Sequence, residues 1–273
     1  MAQRLAAITG ASSGIGAAFA RKLAQRGYDL ILIARRLDRL QELADALARE
    51  HGNSNQPLRA DLSTNDGISS VAARLAAEPR LTMLVNNAGF GTKGWFFETP
   101  VAEQERMHRL HMDAAMRLTH AVLPGMLQRN DGAIINVSSV AAFSRSPANV
   151  SYCATKSWMN AFTEGLFLEL AAMRSAVTVQ ALCPGFTYSE FHDVMGVSRD
   201  PIPKWLWMTA DDVVEASLAG LRRRKLFVVP GWQYRFFAAL ATKLPVRMRL
   251  VIESRSPYAR ARTESAASAS GRR

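Results

Sequence analysis

Short runs of consecutive apolar residues alternate along this chain with stretches of helical periodicity. Runs at 4–9 (RLAAIT), 28–34 (YDLILIA), 81–85 (LTMLV), 132–138 (GAIINVS) and 176–182 (AVTVQAL) read as strands, with further candidates at 57–61 and 225–229. Unbroken rather than alternating hydrophobicity fits strands covered on both faces of a parallel sheet. Helical patterns lie between them at 14–26, 36–51, 64–78, 100–128, 151–174 and 209–223. The alternation predicts an α/β fold: one doubly wound parallel sheet of about seven strands with helices on both faces. In such a sheet the ligand crevice lies along the carboxyl ends of the strands.

Two stretches break the rhythm. Residues 186–208 form a long insertion with two prolines, a glycine and many large apolar groups. A loop of that length in a compact domain reads as a substrate lid. Residues 231–252 read as an apolar helix, a proline and a shorter helix mixing basic and apolar residues. No linker or internal repeat divides the chain, so a single domain over 1–252 is expected, with 231–252 as its C-terminal helical extension. The end, 253–273, is small, polar and non-periodic, and is expected to be a disordered basic tail.

The net charge is +11. The stretch from Glu253 onward holds five arginines and two glutamates, which accounts for +3 of it. Arg222–Lys225 is the densest basic run and fits a solvated helix end complementing the macrodipole, so nucleic-acid binding is not expected. No apolar run is long enough to span a bilayer. The glycines at 10, 14 and 16 interrupt what would otherwise resemble a leader, and two cysteines fit a reducing compartment; a cytoplasmic location is expected. Cys153 and Cys183 lack neighbouring ligands, so no metal site is expected.

Candidate chemistry appears at the strand ends. Residues 9–16, TGASSGIG, follow the first strand and open a helix. Gly10 permits the tight turn, and Gly14 and Gly16 let backbone and helix N-terminus approach a pyrophosphate. The second strand ends in Arg35 and Arg36, where an NAD enzyme carries an acid. A guanidinium pairs with a 2′-phosphate that a carboxylate would repel, so NADP(H) is the expected cofactor. The bland alternative is a pair of solvated helix-start charges. Tyr152 and Lys156 lie four apart in a helical pattern, hence on one face. An ammonium there stabilises a phenolate and makes the tyrosine a usable acid and base near neutral pH.

These motifs, with Asp61-Leu62, Asn86-Asn87-Ala88-Gly89, Ser139 in NVSS and Pro184-Gly185, stand in the order and spacing of the short-chain dehydrogenase/reductase family. The chain resembles the compact single-domain branch of that family over roughly residues 4–230, which implies a Rossmann-type fold. The resemblance implies that Ser139 hydrogen-bonds the substrate oxygen, Tyr152 exchanges a proton with it, and Lys156 lowers the tyrosine pKa and holds the nicotinamide ribose. It places Gly10, Ser12, Ser13, Gly14, Ile15 and Gly16 at the pyrophosphate, and Asp61 with Leu62 at the adenine. It sets Asn87, Ala88 and Gly89 on the crevice floor, and Pro184, Gly185 and Thr187 beside the nicotinamide. Ser138 is the confounder for Ser139; the thirteen-residue spacing to Tyr152 favours Ser139.

One position departs from the family. Alignment on Ala114, Leu118-Thr119 and Leu123-Pro124-Gly125 puts His111 where an asparagine usually supports a water relay behind the lysine. Two readings stand: an imidazole relaying protons itself, or a buried hydrogen-bonded histidine. Candidate substrate-pocket residues are Phe90, Trp95, Phe143, Phe186, Phe191, Met195, Trp205, Trp207 and Met208. Apolar walls point to a bulky apolar or aromatic ketone, aldehyde or alcohol. Alternatives are an acyl-thioester (3-oxoacyl) reductase and a non-catalytic NADPH-binding sensor or scaffold. The resemblance also implies a homodimer or homotetramer through the helices at 100–128 and 151–174. The 231–252 segment is expected to pack on the domain or a second subunit, with membrane-surface contact as the lesser alternative.

Overall fold

The computed structural model describes residues 4–92, 94–190 and 202–255. Seven parallel strands form one sheet in the order β3-β2-β1-β4-β5-β6-β7. They are β1 (Leu5–Thr9), β2 (Asp29–Ala34), β3 (Asn55–Arg59), β4 (Leu81–Asn86), β5 (Ala133–Val137), β6 (Thr178–Leu182) and β7 (Phe227–Val228). The strands with unbroken apolar runs occupy the interior of the sheet, and β1 and β5 are buried at every residue. Strand β3 lies at an edge, where Pro57 can sit because its missing N–H faces away from the ladder.

Side chains leave a strand on alternate faces, so each interior strand supplies two cores. Ala6, Ile8, Leu30 and Leu32 pack on one face with Phe19 of α1 (Gly14–Ala24), Leu40 of α2 (Leu37–His51) and Val213 of α7 (Ala210–Arg222). Leu5, Ala7, Ile31 and Ile33 pack on the other with Ile68 of α3 (Asn65–Ala76), Leu118 of α5 (Ala114–Arg129) and Leu170 of α6 (Val150–Ala172). Buried Asn86 donates to Asn136 Oδ1 (2.9 Å), and Asn136 Nδ2 donates to Thr163 Oγ1 (2.9 Å). That chain fixes α6 against β4 and β5, two turns from Lys156.

The sequence reads 100–128 as one helix. The structure divides it into α4 (Val101–His108), a π-helical turn over Arg109–Asp113, and α5. A π turn takes in an extra residue and re-aims the side chains it carries. Here it carries His111, which is buried.

After β7 the chain forms α8 (Trp232–Lys243) and α9 (Val246–Arg255). Helix α9 continues three residues past the expected boundary at 252. Tyr234 anchors the pair: its hydroxyl accepts from the Phe186 N–H (3.0 Å) and donates to the Leu206 carbonyl (2.5 Å). Burial pushes this phenol up to about 12. The base of the 186–208 insertion is pinned as well, since Tyr188 N–H donates to the Met208 carbonyl and Met208 N–H to the Phe186 carbonyl. Residues 191–201 of the insertion and 256–273 of the expected tail lie outside the described residues.

Candidate active site

The carboxyl ends of β1 to β6 open on one cleft of about 840 Å³, closed on its far side by the two described ends of the insertion and by α8 and α9. At the β1 end, the loop into α1 lies against the end of β4. Thr9 Oγ1 accepts from the N–H groups of Asn87 and Ala88, and Asn87 Nδ2 donates to the Thr9 and Gly10 carbonyls. Gly10 has φ +66°, and a Cβ there would lie 2.8 Å from Asn87 Nδ2. A Cβ on Gly16 would lie 2.2 Å from the Gly10 carbonyl oxygen. Only glycines allow this close a turn. Ser13 precedes α1 without capping it, so its own side chain leaves the first-turn amides to other partners. Ser12, Ser13, Gly14 and Ile15 line the cleft, whereas Gly16 is buried and does not.

At the end of β2, Arg36 reaches across the loop to Ser12 Oγ (3.0 Å) and to Glu190 Oε2 (2.9 Å). Arg39 pairs with the other oxygen of Glu190. Arg35 is exposed at the cleft edge. Arg36 thus joins the end of β2 to the glycine loop and already holds one anionic group, the Glu190 carboxylate. Asp61 follows β3 and accepts from the Ser63 N–H (2.9 Å) and hydroxyl (2.6 Å). Burial opposes its ionisation, but these bonds and the charges of Arg35 and Arg106 outweigh it and hold the carboxyl below its usual range. Leu62 is buried beside it on the cleft wall.

The ends of β5 and α6 bring the candidate chemical groups together. Ser139 caps the short 3-10 turn 140–143, its Oγ accepting from the Ala141 N–H (3.1 Å). That leaves the hydroxyl hydrogen for a ligand. Ser138 is committed elsewhere, donating to the Lys156 carbonyl (3.1 Å). Lys156 Nζ donates to the Val137 carbonyl (2.8 Å) and lies 5.7 Å from the Tyr152 ring centroid. Its burial pulls the ammonium down to about 8. Ser139, Tyr152 and Lys156 all line the cleft, as do Asn87, Ala88, Gly89, Pro184, Gly185 and Thr187.

His111 does not line the cleft. It stands behind Tyr152, ring centroids 5.8 Å apart and edge-to-face. Thr155 Oγ1 donates to the Tyr152 carbonyl (2.9 Å), so it accepts from His111 Nδ1–H (2.9 Å). Nε2 in turn accepts from the Phe90 N–H (3.2 Å). Both ring nitrogens are therefore engaged in the neutral Nδ1–H tautomer. Burial, then the charges of Lys156 and His108, push its pKa well below the usual value. The geometry fits the buried, hydrogen-bonded alternative rather than an imidazole relay. Gly89 has no Cβ because one would lie 2.8 Å from His111 Nε2.

Of the aromatic candidates, Phe90, Phe186 and Trp205 line the cleft. Trp95, Phe143, Trp207 and Met208 do not. Phe143 meets Phe227 edge-on, Trp207 stacks on Tyr188 (4.9 Å) and Met208 packs against the core. Phe191 and Met195 lie outside the described residues. The sequence reading missed the contribution of the C-terminal helices: Trp232, Phe236, Phe237, Ile252 and Glu253 also line the cleft. It also missed Arg106, which lines the cleft with its guanidinium 5.9 Å from the Phe90 ring centroid. The signal for α8 was its density of aromatics after the last strand.

Comparison with known proteins matches residues 4–196 to the short chain dehydrogenase family model. The chain belongs to the short-chain dehydrogenase family. A short-chain dehydrogenase from Sphingobium yanoikuyae, solved with NADPH, superposes with a TM-score of 0.80 at 35% identity, covering 89% of this chain and 97% of that one. The bulky-bulky ketone specific alcohol dehydrogenase from Comamonas testosteroni gives 0.76 at 31% identity, covering 89% and 95%. A very-long-chain 3-oxoacyl-CoA reductase from Anas platyrhynchos is 29% identical over 73% of this chain, and the match spans 65% of that reductase's length.

Proposed function

We propose that this short-chain dehydrogenase is an NADP(H)-dependent oxidoreductase that interconverts a bulky apolar or aromatic ketone or aldehyde with its alcohol. The observation that carries this reading is that one cleft joins Ser139, Tyr152 and Lys156 to the glycine loop and the Arg35-Arg36 corner. The bound nicotinamide supplies the hydride in reduction and takes it in oxidation. Ser139 donates a hydrogen bond to the substrate oxygen, and Tyr152 gives that oxygen its proton, or takes it back in the reverse direction. Lys156 supports the tyrosine with its charge and holds the nicotinamide ribose. Asn87, Ala88, Gly89, Pro184, Gly185 and Thr187 position the nicotinamide end, and Asp61 with Leu62 the adenine. Arg36 and Arg35 hold the 2′-phosphate, with Arg36 exchanging Glu190 for it.

A neutral, bulky substrate fits the far wall. Arg145, the nearest cation in sequence to Ser139, spends its guanidinium on the Ala142 and Ser144 carbonyls. Glu253, whose pKa burial raises, stands on the cleft wall contributed by α9. An anionic substrate would meet it unfavourably. The Sphingobium and Comamonas relatives support the cofactor and the substrate class. The test is NADPH oxidation by the purified protein over a panel of bulky ketones and acyl thioesters, with NADH in parallel. Turnover of ketones with preference for NADPH is expected. Binding of NADPH without turnover of any carbonyl would instead indicate a sensor or scaffold.

A further inference from the structure

Helix α9 is inside out. Its buried residue is Glu253, at 9% exposure, accepting from the Arg145 N–H (3.2 Å). Its large apolar residues Val246, Met248, Leu250, Val251 and Ile252 are each 50–59% exposed. The outer face of α8 continues the pattern, with Trp232 at 71% and Phe236 at 67%. Large apolar groups left exposed around the outer side of a helix, with Arg247 and Arg255 set between them, mark a surface that something else covers.

The charges on that face choose the occupant. Residues 231–255 carry five cations, Arg235, Lys243, Arg247, Arg249 and Arg255, and a single carboxylate, Glu253, which is buried. Arg235, Lys243, Arg247 and Arg255 are exposed and form no ion pair among the described residues. Two copies docked through this face would bring these cations together. An anionic lipid surface would pair with them while the interleaved aromatic and aliphatic groups enter the headgroup boundary. The face is also continuous with the cleft, since Trp232, Phe236 and Ile252 belong to both.

We propose that α8 and α9 seat the protein on an anionic membrane surface, with the mouth of the substrate cleft turned toward the lipid. Lipid binding stands on the helices alone; entry of an apolar substrate from the bilayer rests also on the function proposed above. No described helix is long and apolar enough to cross a membrane, so the contact is peripheral.

The test is co-sedimentation of the full chain, with NADPH, on vesicles of phosphatidylglycerol and phosphatidylcholine at low salt. Pelleting is expected with the anionic mixture, weakly with phosphatidylcholine alone, and it should fall as salt rises. Replacing Leu250 and Val251 with Glu should reduce binding by about tenfold or more while leaving reduction of a water-soluble ketone unchanged. Replacing Arg247 and Arg255 with Gln should weaken it roughly fivefold per charge, and this pair reads the same claim if the first variant does not fold. No pelleting at low salt, or equal pelleting by these variants, would overturn the proposal. So would dissociation of a dimer by the Glu variant with lipid binding unaltered, which would give the face to a second copy. Loss of ketone turnover with lipid binding intact would count against the enzyme reading and not against this one.

Discussion

Tyr152, Lys156 and His111 form a layered arrangement: a phenol on the cleft, an ammonium beside it and a neutral imidazole behind. Replacing Tyr152 with Phe keeps the ring and removes the proton. Ketone reduction should then fall by about 10²–10⁴-fold while NADPH affinity, read by fluorescence titration, stays within twofold or so. Lys156 is charged below about 8 and loses its proton above. The cation that supports Tyr152 therefore disappears as pH rises through that value, and kcat/KM for reduction should decline above about pH 8. His111 stays neutral through the working range, so His111→Asn should leave the pH profile unmoved. Losing the bond from the Phe90 N–H should instead loosen the Gly89-Phe90 wall and raise the ketone KM by roughly fivefold, one hydrogen bond's worth. A profile that lost an inflection in this variant would restore the relay reading. Ser139 and Tyr152 stood out in the sequence through the order of the family's motifs and the thirteen-residue spacing between them, not through spacing alone. The tautomer of His111 was not legible, because its partners come from a loop after β4 and a threonine on α6, distant in sequence.

Among elements, the interior strands and the helices flanking them were legible because full burial writes unbroken apolar runs and 3.6-residue periodicity into the chain. The break at Arg109–Asp113 was not. One extra residue in a π turn leaves the apolar positions of 100–128 close to helical spacing while re-aiming His111. The insertion's aromatics also could not be sorted by sequence. Trp207 and Phe186 are both large aromatics, and which of them faces the cleft depends on where the Thr187–Met208 bridge closes the loop. The element with the most direct consequence for the cofactor is the β2–α2 corner. Glu190 occupies Arg36 and Arg39 there with a pairing that lowers its own pKa, first through the hydrogen bond from Arg39. Replacing Glu190 with Gln should release Arg36 and tighten NADPH binding severalfold, while NADH, lacking the 2′-phosphate, should respond little. Replacing Arg35 and Arg36 together with Ala should abolish the preference for NADPH; retention of that preference would remove the assignment.

At the scale of the whole molecule, the sheet gathers groups from six strand ends into one cleft, and the last two helices close it with aromatic residues and Glu253. That closure could not be read from the strand and helix pattern, since α8 and α9 follow the last strand and reach the site only by folding back over the β6 loop through Tyr234. The proposed reaction is transfer of a proton from Tyr152 to a bulky neutral carbonyl as NADPH is oxidised. The direct measurement is a single-turnover reaction of the purified protein with NADPH and a bulky aromatic ketone, following NADPH absorbance and alcohol formation together. One alcohol per NADPH consumed is expected, with neither change in Tyr152→Phe on the same timescale. Equal rates in wild type and Tyr152→Phe would contradict the claim, as would bound NADPH that stays reduced against every carbonyl in the panel.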